Sequence, residues 1–103
     1  MIHVIATIKL NPGTRDAFLE EFRRLIPAVH AEVGCIEYGP AIDAVTDLPN
    51  QTLYGADTVI VVEKWTDIAA LKAHSIAPHM NDYRVNVRDY IHSVDLRVLD
   101  PAG

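Results

Sequence analysis

A single cysteine, Cys35, leaves no partner for an internal disulfide and no thiolate set for a metal site, so the chain has only its core to hold it together. Cys35 itself is expected to be a small buried hydrophobe. Basic charge is also scarce. Nine lysines and arginines against fourteen acids give a net charge of −5, and no segment carries a basic run. That excludes the electrostatic footprint of a nucleic-acid binder and of a protein drawn to an anionic membrane. Long hydrophobic runs are missing too. The opening MIHVIATIKLNPG has no basic leader, and its apolar stretch falls far short of the ~20 residues of a membrane span. A cytoplasmic protein with no nucleic-acid or membrane partner is the expectation. Neither a Gly-rich phosphate loop nor a G-x-S-x-G elbow is present, nor any internal repeat.

What is present is apolar. Half of the residues are hydrophobic and 22% are charged, which is the composition of a folded domain. At 103 residues there is room for one core, so residues 1–103 are expected to form a single domain. A chain of this size buries only roughly 60–70% of its unfolded surface, and a partner subunit would add to its stability.

Hydrophobic periodicity orders the elements. In IHVIATIKL, Ile2, Val4, Ala6, Ile8 and Leu10 fall on one face at period two, predicting a first strand that NPG stops. Thr14 is placed to cap a helix in which Phe18, Leu19, Phe22, Leu25, Ile26 and Val29 recur at helical spacing to about Ala31, with Pro27 expected to loosen it. CIEYGPAIDAV alternates again and sets Ile36, Tyr38, Pro40 and Ile42 on one face; its internal Gly-Pro predicts a bulged or edge strand. The turn formers of TDLPNQTLYGAD predict a long hairpin loop. TVIVVEKW, β-branched on both faces, predicts a central strand. Thr66 or Asp67 then caps a short helix, Pro78 restarts a second one carrying Met80, Tyr83, Val87 and Ile91, and Val94, Leu96 and Val98 alternate along a closing strand. The result is an α+β, ferredoxin-like βαββαβ plan. Its helices cover one sheet face. The other is expected to be covered by a second copy, giving a homodimer of the dimeric α+β barrel type.

Chemistry-bearing residues gather late in the chain. Glu63 and Trp65 share a strand face with Val61, while His74 closes one helix and His79 opens the next across Pro78. The types Glu63, His74 and His79 suit a metal, but the spacing of the two histidines matches no i,i+3 or i,i+4 ligand pair, so no metal is expected. His3, His30 and His92 are scattered.

EVGCIEY, VVEKW, AALKAHSIAPHM and LRVL, taken in order over residues 2–100, resemble the antibiotic biosynthesis monooxygenase domain, and within it the small quinol monooxygenases. The resemblance implies a ferredoxin-like dimer that oxygenates a quinol or polycyclic phenol with molecular oxygen and no cofactor. It also implies site residues: His79 as first candidate for the base, His74 as second, Trp65 and Tyr38 as flat walls, Tyr83 or Arg84 hydrogen-bonding a ring oxygen, and Glu63 orienting a histidine or purely structural. The expected geometry has Trp65 and His79 lining one pocket between sheet and helices, His74 at its rim and Glu63 behind. Haem-degrading relatives pair a Trp and a His with an Asn on the first strand. Here that strand offers Thr7, with Asn11 only at its end, and departs from the pattern. Isomerases of sugar-derived phosphates share the fold, but no basic cluster suits a phosphate. A non-catalytic dimeric module for a small aromatic ligand is the competing class.

Overall fold

The computed structural model describes residues 1–103. Strand β1 (Ile2–Leu10) leads to helix α1 (Arg15–His30), then to β2 (Cys35–Ala41) and β3 (Thr58–Trp65); α2 (Ile68–Ser75) and α3 (Pro78–Val87) precede β4 (Ile91–Leu99). The strands form one antiparallel sheet in the order β2-β3-β1-β4, the ferredoxin-like arrangement.

Alternation fixes which side of the sheet becomes core. Val4, Ala6 and Ile8 pair with Glu63, Val61 and Val59, so these residues share one face, and all six are buried under the helices. Phe18, Phe22, Leu25 and Val29 of α1 and Met80 and Val87 of α3 supply the other half of the core. Asp67 caps α2 by accepting the Ala70 N–H at 2.8 Å. Thr14 holds the cap position of α1 but does not cap it: its hydroxyl instead donates to the Asn11 carbonyl at 2.8 Å.

Three further expectations are corrected. Ile91 does not continue the face of the second helix: α3 ends at Val87, and Ile91 opens β4. A register shift between Cys35 and Glu37 takes Ile36 off the face of Tyr38, so Tyr38 is buried while Ile36 is half exposed. The helices also stop short of β4. Val94, Leu96 and Val98 pair with the buried Ile8, Ala6 and Val4, yet remain 55%, 58% and 44% exposed.

The turn after α1 is tightly placed. Gly34 has φ +86°, and a Cβ there would lie 2.5 Å from Ala70 Cβ and 2.6 Å from Thr66 Oγ1. Only glycine allows the α1–β2 turn to lie this close to the start of α2, where the Gly34 carbonyl accepts the Thr66 N–H at 2.9 Å. The connection from residue 42 to 57 carries no helix or strand and folds on itself, the Asp43 carboxylate accepting the N–H groups of Tyr54 and Gly55. No helix is long and apolar enough to cross a membrane.

Candidate active site

A cavity of about 370 Å³ lies on the helix side of the sheet, within the range of small-ligand sites. Its floor is Ala6, Ile8 and Val61, its far wall is Phe22 and Met80, and Val94 and Leu96 of the uncovered edge strand stand at one side. Four polar residues interrupt this apolar lining: Tyr38, Glu63, Tyr83 and Arg84.

Glu63 faces Tyr38 directly across the β2–β3 ladder, and strand alternation points both under the helices. It is 5% exposed. Its Oε1 accepts the Trp65 indole Nε1–H at 2.9 Å, from two residues along the same strand face. Burial, reinforced by the negative charge of Glu32 and only partly offset by that indole bond, pushes its proton affinity up from an ordinary 4.5 to about 7. Tyr38 and Tyr83 are pushed well above the usual phenol value, first by burial and further by the charge of Glu63, so both remain neutral hydroxyls. Arg84 is held at the cavity by donating to the Ser75 carbonyl at 2.7 Å and to Asn81 Oδ1 at 3.1 Å.

Behind Glu63 the aromatic residues form a second layer. Trp65 is fully buried and does not reach the cavity. The His74 ring lies against the indole with centroids 4.7 Å apart and meets the edge of Tyr38 at 5.3 Å. His74 Nδ1–H donates to Glu32 Oε2 at 2.8 Å, and His79 Nε2–H donates to the same oxygen at 2.8 Å. Sharing one carboxylate oxygen fixes which nitrogen of each ring carries hydrogen.

The expected geometry is thereby corrected. Trp65 and His79 do not line one pocket: Glu63 stands on the cavity wall, Trp65 and His74 lie behind it, and His74 is buried rather than at the rim. His79 opens instead onto an outer groove between α1 and α3, beside Glu21, Arg24 and Asp82. The first turn of α3 aims it at the end of α1, where Glu32 holds it. Glu32 was missed altogether. Its only local signal is its place in EVG, two residues after the end of α1 and two before the glycine that folds the turn inward.

Four similarities place this architecture. Residues 1–85 match the family described as Antibiotic biosynthesis monooxygenase. The chain is 35% identical over 104 residues, covering 99% of each protein, to the "Probable quinol monooxygenase YgiN" of Escherichia coli (strain K12). Among solved structures, PA3566 from Pseudomonas aeruginosa superposes with a TM-score of 0.81 at 25% identity, covering 99% of this chain and 94% of that one. Rv0793 from Mycobacterium tuberculosis does so with 0.79 at 26%, covering 99% and 95%. With a family match over most of its length and a relative aligned from end to end, the chain belongs to the antibiotic biosynthesis monooxygenase family.

Proposed function

We propose that the protein is a cofactor-independent monooxygenase that oxidises a quinol or polycyclic phenol with molecular oxygen, and that Glu63 is its base. The observation that carries this reading is one buried carboxylate of raised proton affinity on the wall of an apolar cavity, among two neutral tyrosine hydroxyls and an arginine. An apolar slot takes a flat ring, and the polar groups take its oxygens.

The chemistry needs no external reductant, because the substrate supplies the electrons. Glu63 removes a phenolic proton. A phenol titrates near 10, so transfer to a base at about 7 is uphill by roughly 4 kcal/mol unless the phenolate is stabilised. Arg84 and the hydroxyls of Tyr38 and Tyr83 supply that stabilisation. The phenolate passes one electron to oxygen, and the resulting radical pair joins as a carbon–oxygen bond at an adjacent ring C–H. Loss of that hydrogen as a proton, with cleavage of the peroxide O–O bond, leaves a new carbonyl and water. A hydroquinone plus one O₂ gives a hydroxyquinone plus one water, four electrons passing from ring to oxygen. Trp65 orients Glu63. His74 and His79, the bases expected from sequence, are proposed to act from behind it, through Glu32 and Trp65.

Homodimerisation belongs to the same proposal. Ile5, Ile60 and Val62 form the apolar centre of the sheet face opposite the helices, and a second sheet would cover them. Light scattering is expected to give twice the chain mass at micromolar concentration; a well-folded monomer there would contradict it.

Oxygen uptake tests the activity. Metal-stripped protein mixed with a reduced two-ring quinol is expected to consume oxygen and form product well above the spontaneous rate. A rate equal to the spontaneous one would make the protein a binding module.

A further inference from the structure

We infer that Glu32, which lies outside the cavity, is a positioning residue for the reaction: it holds His74 against Trp65, and so aims the Trp65 N–H at the cavity carboxylate Glu63. The inference rests on the reading of Glu63 as the base.

The links are continuous. Glu32 Oε2 accepts from His74 Nδ1 at 2.8 Å, the His74 ring lies 4.7 Å from the indole at 37°, and the indole donates to Glu63 at 2.9 Å. That indole bond is the one hydrogen bond Glu63 receives from the protein, so the direction of its carboxylate depends on where Trp65 stands. His79 locks the far side. By sharing the Glu32 oxygen it ties the start of α3 to the end of α1, while Gly34 fixes the turn that carries Glu32.

Glu32 also acts by charge. The ionisable groups around Glu63 are Cys35 and Tyr38 from β2, Tyr83 and Arg84 from α3, His74 behind Trp65 on α2, and Glu32 itself. After burial, the charge of Glu32 is what raises the proton affinity of Glu63. Removing it makes Glu63 a weaker base that ionises at lower pH. A role confined to holding the fold together would leave that midpoint where it is.

Trp65 is the only tryptophan, so its indole N–H gives one resonance that reports on Glu63 without substrate. In the full-length protein that resonance is expected to titrate with a midpoint near 7, and in Glu63→Gln to stay flat. In Glu32→Gln, which keeps an oxygen for the imidazoles, the midpoint is expected to fall by roughly half a pH unit or more. The acid limb of kcat/KM should move with it, and the plateau should drop several-fold. Glu32→Ala should in addition broaden or split the resonance, and Glu32→Asp should restore part of the wild-type behaviour. If Glu63→Gln flattens the titration but Glu32→Gln leaves both midpoint and pH profile unchanged, the inference is overturned and Glu63 keeps its place as base. A wild-type resonance that does not titrate also overturns it. Should Glu63→Gln turn over as wild type, the reading of Glu63 as base fails, whatever the Glu32 variants do.

Discussion

Two carboxylates stand on either side of Trp65, Glu63 buried and Glu32 partly buried, and the sequence neighbourhood does not distinguish them. Glu32 is bracketed by two imidazole N–H groups on one oxygen. Glu63 has a single indole N–H and an apolar cavity in front of it. A carboxylate answered by two strong donors is anchored and serves geometry. One answered by a single weak donor keeps free lone pairs and a raised affinity for protons, which is what a general base needs. The contrast between satisfied and under-satisfied acid separates the supporting layer from the reacting one.

Replacing the two acids in turn should break the contrast most sharply. Glu63→Gln is expected to cut turnover by about 100-fold or more, since it removes the only ionisable carboxylate on the cavity wall; steady-state oxygen uptake measures it. In wild type, kcat/KM should rise with pH through about 7 as Glu63 ionises.

The same substitution should stabilise the protein above neutrality. The folded value of Glu63, about 7, lies above the ordinary 4.5. Stability from burying the neutral acid is therefore fully present below 4.5 and is lost as pH rises through 7. Chemical denaturation at pH 8 should find Glu63→Gln more stable by up to about 3 kcal/mol, with the difference vanishing near pH 4.5. A residue that costs stability where it is ionised is one retained for chemistry.

Gly34→Ala sharpens the other half of the comparison. It forces a left-handed residue and a clash with Ala70 and Thr66, and denaturant unfolding should show a loss of about 2 kcal/mol or more. Because the α1–β2 turn carries Glu32, turnover should fall along with stability.

His79→Ala should do least. It removes one of two donors to Glu32 and leaves the cavity lining intact, so turnover is expected to change by less than about 10-fold. A 100-fold loss in a folded variant would return His79 to the position of base that the sequence pattern suggested.

Much of this was legible in the chain. β1 announced itself because burial on one face imposes a strict period of two, and β3 by its β-branched residues on both faces; Pro78 marked a helix start by its fixed backbone angle and Asp67, one of two candidates, by its capping side chain. Tyr38, Tyr83 and Arg84, expected at the substrate ring, stand on the cavity wall; so does Glu63, which was expected behind the pocket, while Trp65, expected as a wall, does not reach it. The Gly-Pro of β2 marked the edge strand that it is, but the outward turn of Ile36 was not legible, since the register shift falls between Cys35 and Glu37, away from that dipeptide, and is set by the pairing with β3. Nor was the exposure of β4, because alternation marks a face without saying whether a helix reaches it. Glu32 was hidden for a plainer reason. It meets His74 across 42 residues and His79 across 47, so no local spacing signals it, and the direction of both rings depended on it.

The most direct test of the central claim is a single turnover of metal-stripped wild type and Glu63→Gln with isotopically labelled dioxygen and a reduced two-ring quinol, followed across pH 6 to 9. Wild type is predicted to place one labelled atom in the organic product and the other in water, at a rate that rises through pH 7. Glu63→Gln is predicted to be at least about 100-fold slower with no such rise. An unlabelled product, or a Glu63→Gln rate matching wild type, would contradict the account.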